Sequence, residues 1–275
     1  MKKFAIILLI ISLNIHGQKK VLDHKDFDIW NRIQNSQISS NGDFIMYSLQ
    51  RGEEDSFLKI KDKNANLIFE HDRAEKGVFS YNSKYAIFAI KEWKDTITEM
   101  KRRKVKKGKM PMDSLGIFNL QNKTLVKISN IKSYKNPEKW SGYLAYTYDL
   151  TNKEKKDTIK QKKINKKPSS KNGYPLIIIN LYTEKEDTIP FVLDYTFSKK
   201  EKFISYVTSG EKNSTKPGVY IKDLSNNIAK HIYESHVKTK YHKLELSDSG
   251  KHLAFVVDTD STKAYERNNE IYTCL

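Results

Sequence analysis

Cysteine is nearly absent. Of 275 residues only Cys274 is a cysteine, one place from the end. A lone thiol closes no internal disulfide and builds no cysteine-based zinc cluster, so the fold rests on packing. Eleven glycines and six prolines are too few for a collagenous or Pro-rich low-complexity chain. No two glycines bracket a serine as G-x-S-x-G, the sharp strand-to-helix turn that exposes the nucleophile of an α/β-hydrolase. Strand–helix–strand alternation, a Gly-rich phosphate loop and EF-hand spacing are also missing. Beyond residue 17 no run is apolar enough to cross a bilayer.

What is abundant is lysine and aromatic side chains. Fifty Lys and Arg against 33 Asp and Glu give a net charge of +17, with 16 Tyr and 12 Phe in an otherwise modest apolar fraction of 38%. Aromatic residues suit pleated, half-buried surfaces. Most of the charge excess sits in two insertions, about residues 93–114 and 151–174. Both interrupt strand patterns, so both read as long, solvated surface loops. Basic runs attract phosphates, but no stacking aromatics are interleaved with these lysines. The expectation is that they bind no specific nucleic acid.

The chain is organised around a recurring hairpin, clearest in residues 244–258 (LELSDSGKHLAFVVD). A polar turn headed by a serine joins two apolar segments. The same pattern recurs at residues 38–49, 79–90 and 197–207. In each copy Ser39, Ser80, Ser198 or Ser247 is followed five residues later by Phe44, Tyr85, Phe203 or His252, and then by Ile45, Ala86, Ile204 or Leu253. Residues 140–148 form a weaker fifth copy that opens on Trp140. A second, alternating strand intervenes at residues 58–62, 116–120, 176–181 and 219–224. Repeats of about 40–50 residues with about four short strands predict an all-β, incomplete β-propeller of about four to five four-stranded antiparallel blades. The alternative is an unrelated run of hairpins in a sandwich.

Residues 1–17 read as a secretory signal: Lys2 and Lys3, an apolar core over residues 4–13, and Gly17 before the cut. Cleavage after Gly17 and a secreted or periplasmic mature chain are expected, with no membrane span after cleavage. Residues 18–37 should be helical or extended. The spacing of Leu22, Phe27, Trp30 and Ile33 predicts a helix with Asp26 as a possible cap and Trp30 as a buried anchor. The partial propeller should then occupy residues 38–275.

No residue qualifies as catalytic, cofactor-binding or metal-binding. The four serines are turn residues by context. His231, His236 and His242, with Asp248, Asp258 and Asp260, cluster loosely in sequence, but nothing fixes them on one point as a metal requires. No cofactor is implied.

Several stretches resemble the secreted serine peptidases of the prolyl oligopeptidase (S9, dipeptidyl peptidase-like) family. They are Gln18 to His24, Asp28-Ile29-Trp30, Ile38 to Gly42, the basic insertion ending in Met110 to Leu115, and the linker ending in Lys171 to Leu176. The likeness covers the family's N-terminal propeller region. It implies a propeller that restricts entry of large substrates to an α/β-hydrolase catalytic domain holding the Ser, Asp and His. The implied partners are that domain, missing from this chain, and peptide substrates.

Three functions compete. The chain is the propeller portion of such a peptidase, truncated before the catalytic domain and inactive by itself. Or it is a stand-alone secreted propeller that binds a protein or glycan. Or it is a small hydrolase with a non-standard site. Closure discriminates the first two: a propeller pairs its last blade with its first or leaves an open edge. After Val257 only Glu270-Ile271-Tyr272 offers a pairing strand, which favours the first.

Overall fold

The computed structural model describes residues 23–27, 30–149, 166–211, 214–235, 239–259 and 269–274. Strands β1 (Asn31–Ile38), β2 (Phe44–Arg51), β3 (Phe57–Asp62) and β4 (Leu67–Asp72) pair in sequence order as blade 1. Blade 2 repeats this with β5 (Ala74–Phe79), β6 (Tyr85–Ile90), β7 (Ser114–Asn119) and β8 (Leu125–Ile128). All pairings are antiparallel.

A seven-stranded sheet follows: β9 (Ile131–Lys135), β10 (Tyr143–Tyr148), β11 (Tyr174–Asn180), β12 (Glu186–Phe197), β13 (Phe203–Thr208), β14 (Gly218–Asp223) and β15 (Ile228–Glu234). It is two blades that share a strand. The first half of β12 pairs with β11 up to Val192, and the second half pairs with β13 from Val192 to Phe197. The strand turns between them at Phe191, whose φ is +53°. A register shift between Val192 and Asp194 completes the bend. Thus β12 is the fourth strand of blade 3 and the first of blade 4. Blade 5 comprises β16 (Lys240–Leu246), β17 (Leu253–Asp258) and β18 (Asn269–Cys274). The architecture is β-propeller-like.

The serine hairpins join strands one and two of their blades, and the second sequence element is strand three. In each turn the serine N–H donates to the carbonyl of the aromatic or histidine five residues on: Ser39 to Phe44, Ser80 to Tyr85, Ser198 to Phe203 and Ser247 to His252, all at 2.9 Å. In three of them the hydroxyl also accepts the N–H of Phe44, Tyr85 or His252 at 2.9–3.0 Å. Ser198 departs from this and donates its hydroxyl to the Glu201 carbonyl.

Side chains on strand two alternate between blade interfaces. The residue six after the serine faces the preceding blade and the residue seven after it faces the following one. Ala86 packs with Met46, Leu58 and Ile60 of blade 1, while Ile87 packs with Leu144 and Ile177 of blade 3. Ile204 packs on Ala145 and Leu176 of blade 3, and Leu253 on Val207 and Val219 of blade 4. Four apolar cores therefore lie between five blades. The turns are also tied to one another. Tyr85 Oη donates to Leu181 O at 2.7 Å, and Tyr143 Oη donates to Leu224 O at 2.9 Å. Trp140 Nε1 donates to Ser198 O at 2.9 Å, so the weaker copy of the hairpin is still locked to the next blade.

Three expectations give way. Of the helix predicted over residues 22–33, the described residues show only α1 (His24–Phe27). Asp26 sits inside it, accepting the Asp23 N–H at 2.8 Å as the far half of a capping box. Residues 31–33 belong to β1, whose pairing with β2 overrides the helical spacing, and Trp30 is 52% exposed and no buried anchor. The insertion at residues 93–114 is no plain loop: it carries α2 (Lys94–Arg102) and a 3-10 turn (Lys107–Lys109), with no buried residue in either. Asp95 in the first turn of α2 and Lys101 and Arg102 in its last match the helix dipole. Of the second insertion, residues 150–165 lie outside the described residues, as do residues 1–22. Lys166 is fastened to the shared-strand corner, donating to Ser209 O at 2.7 Å and lying 4.8 Å from the Phe191 ring centre.

Candidate functional site

The main contacts between neighbouring blades all involve the first strand of the later blade: β5 with β1, β2 and β3; β9 with β7; β16 with β12 and β13. The blades converge on that side. A polar cavity of about 450 Å³ opens where blades 3, 4 and 5 meet, lined by Lys135, Asn136, Glu138, Lys199, Glu245 and Asp248 among others. Lys135 and Asn136 follow from β9, Glu245 lies on β16, and Lys199 and Asp248 lie in the Ser198 and Ser247 turns. The repeat itself delivers these side chains to one place.

Ion pairs span the cavity walls. Lys199 Nζ lies 3.3 Å from Glu138, Lys200 Nζ 3.1 Å from Asp248, and Lys135 Nζ 3.8 Å from Asp194. Lys135 also donates to Tyr195 O at 2.5 Å. Its hydrogen bond to Lys200 holds the Asp248 carboxyl below the usual range, against a desolvation effect in the other direction; the charges of Lys200, Lys199 and Lys139 add to the lowering. A carboxyl kept ionised is no proton donor near neutrality. The cavity can instead hold a charged or polar chain segment by exchanging its own ion pairs for new ones.

The turn serines are occupied. Ser39, Ser80 and Ser198 are buried. Ser39 Oγ donates to Asn41 Oδ1 at 2.7 Å and Ser80 Oγ to Asn82 Oδ1 at 2.8 Å. Each hydroxyl serves its own turn, where acyl transfer would need a base to take its proton and donors for an oxyanion. His231 stacks on Tyr220 at 4.3 Å between ring centres, and its Nε2 is buried without a hydrogen-bond partner. His242 lies on β16, while His236 and Asp260 fall outside the described residues. Among the described residues no three His, Cys, Asp or Glu side chains converge as metal ligands. Sequence reasoning missed Lys135, Glu138 and Glu245; strand-end charges carry no periodic signal, and only the fold brings them beside the Ser198 and Ser247 turns.

No protein-family model matches the chain, and no curated protein matches it. Solved structures do. A prolyl endopeptidase, from a study of two such enzymes and of inter-domain dynamics in their catalysis and specificity, aligns at 12% identity and a TM-score of 0.50 over 90% of this chain and 35% of its own. The β-propeller domain of the Trilobed protease from Pyrococcus furiosus aligns at 13% identity and 0.47, over 89% of this chain and 69% of that one. An acylaminoacyl peptidase from Pyrococcus horikoshii aligns at 12% and 0.46, over 91% and 39%. The chain thus spans well under half the length of the prolyl endopeptidase and the acylaminoacyl peptidase. At such identities what is shared is the fold.

Proposed function

We propose that this chain is the substrate-gating propeller portion of a prolyl oligopeptidase-type (S9) serine peptidase. It takes part in proteolysis by standing over an α/β-hydrolase domain and is catalytically silent by itself. The observations that carry the reading are the commitment of the repeated serines to turn geometry and the charged, polar cavity where blades 3, 4 and 5 meet. That arrangement supports a steric and electrostatic filter, and it engages the described turn hydroxyls in their own turns, where acyl transfer would need one set beside a base. The fold-level likeness to a prolyl endopeptidase is consistent with it. Export with cleavage after Gly17 belongs to the same proposal.

The test is a purified hydrolase domain of that peptidase type, assayed with and without residues 18–275 on a short chromogenic peptide and on a folded protein. The reading expects the chain to bind the domain and to suppress cleavage of the protein more than that of the peptide. Equal rates on both substrates despite binding, or no binding, would contradict it. The second reading, a stand-alone propeller that binds a protein or glycan, is favoured by the apolar face of blade 1, where Ile33 and Ile38 are 63% and 69% exposed among the described residues.

A further inference from the structure

The basic insertion of blade 2 is a held arm. Its two feet leave β6 and β7 side by side, and Lys91 Nζ lies 2.6 Å from Asp113 across them. The Arg73 guanidinium lies over the Trp93 ring, 4.3 Å from its centre. Lys94 reaches the β2–β3 loop of blade 1: its N–H donates to Asp55 Oδ1 at 3.2 Å and its Nζ to Glu53 O at 3.1 Å. Beyond these ties, α2 and the 3-10 turn bury no residue. Seven cations fall within the nine residues 101–109, KRRKVKKGK, with no acid among them, and all seven are exposed. Among the described residues only Arg103 of the seven pairs with an acid, Glu99. The other basic insertion supplies no counter-charge, since residues 150–165 hold six Lys against two acids. Like charges at this density repel one another, so an ordered arm that nothing here neutralises attracts an external anion.

We propose that this arm is a landing surface for an anionic phospholipid bilayer, met peripherally with no segment inserted. A charge-dense protrusion fits a flat sheet of phosphates, where each cation near the headgroups adds to the attraction. A protein partner would need a desolvated apolar anchor at the centre of the contact. Residues 94–109 offer only Ile97, Met100 and Val105, all half-buried. Single-stranded nucleic acid would need aromatic stacking platforms, and residues 94–112 contain no aromatic side chain. Position also sets the arm apart from the rest of the charge. It joins strands two and three of blade 2, at the end opposite the serine turns. Strands of six residues put the two ends about 20 Å apart, roughly twice the screening length of about 10 Å at 0.1 M salt. Lysines in the turns at the serine end therefore take little part in the contact.

Co-sedimentation of residues 18–275 with phospholipid vesicles tests this, without the apolar core of residues 4–13. Vesicles with about one-third phosphatidylglycerol should bind the chain at about 0.1 M salt and release it at about 0.5 M. Vesicles of phosphatidylcholine alone should not bind it. The triple variant Lys106→Glu, Lys107→Glu and Lys109→Glu should weaken binding at least about tenfold. The triple variant Lys123→Glu, Lys185→Glu and Lys251→Glu makes the same charge change in turns at the serine end and should weaken it less than about threefold. All six side chains are exposed, so circular dichroism and melting of both variants should match the parent, which separates loss of binding from loss of folding. No binding to the anionic vesicles, equal binding to phosphatidylcholine, or equal losses in the two triples would overturn the proposal. So would duplex DNA that, at the same phosphate concentration, binds more tightly than the vesicles and loses as much in the arm triple; the arm would then be a nucleic-acid surface.

Discussion

Ile45 and Ala86 hold the same place in successive blades, six residues after Ser39 and Ser80, yet Ile45 is 41% exposed and Ala86 is 0% exposed. The difference lies in the neighbour: Ala86 faces blade 1, and Ile45 faces away from blade 2. Among the described residues no blade covers this face of blade 1, whereas Ala86, Ile204 and Leu253, at the same place in later blades, are buried against the blade before them.

Gly116 on β7 lies directly opposite Phe88 on β6. A β-carbon there would stand 2.3 Å from the Phe88 ring, which is fully buried. The ring has no free side to move into. Gly116→Ala should cost about 1–3 kcal/mol and lower the denaturant midpoint without changing its slope. Urea unfolding followed by tryptophan fluorescence measures it, and an unchanged midpoint would mean that blade 2 packs differently.

The buried Lys222 is paired with Asp187 across the blade 3–blade 4 interface. Removing only the carboxylate leaves a buried ammonium without its counter-charge, whereas removing the ammonium leaves a half-exposed acid. Asp187→Ala should therefore destabilise the protein more than Lys222→Met, by about 1–3 kcal/mol after allowing for the exposure of Asp187. Thermal melts of the two variants decide the order.

Alkaline pH should loosen the fold through its tyrosines. Burial pushes the Tyr134 phenol up from 10.0 to about 12, helped by the charges of Asp113 and Glu75 and opposed by a hydrogen bond from Ala89. Tyr241 is likewise raised to about 12 by burial, and Tyr195 and Tyr206 are raised for the same reason. A folded pKa above the unfolded value means the native state holds its proton longer. Stability is then complete below pH 10 and falls as pH rises from 10 towards 12. Tyr134→Phe should flatten part of that decline in urea midpoints taken at pH 8, 10 and 11.

Much of this was legible in the chain. The hairpin pattern placed all four serine turns and the third strand of blades 1 to 4, because the central strands of a blade are buried on both faces and carry continuous apolar runs. First and fourth strands were harder. In β1, NRIQNSQI, one face lies open and the polar pattern competes with a helical spacing from Leu22 to Ile33. Blade 3 was faint because Glu138 stands where the other copies have serine, and Trp140 takes over through its bond to Ser198. The sharing of β12 could not be read at all: it depends on the bend at Phe191, which is specified by tertiary packing around Gly173, where any β-carbon would strike Phe191 O at 2.4 Å. The charged cavity was equally silent, since it is assembled from three blades.

N-terminal sequencing of exported material should begin at Gln18, as the charged, apolar and small-residue order of residues 1–17 predicts. An intact Met1 on exported protein would remove the proposed cleavage after Gly17 and leave the blades untouched.

The central claim is that the repeated serines build turns and that the chain alone performs no acyl transfer. The most direct measurement is purified residues 18–275 treated with a fluorophosphonate probe beside a chromogenic proline-containing dipeptide. The account predicts no serine labelling and no turnover, while Ser80→Ala lowers stability by about 1–2 kcal/mol through the lost Tyr85 N–H bond. Stoichiometric labelling, or turnover abolished by a single Ser→Ala change, would contradict it.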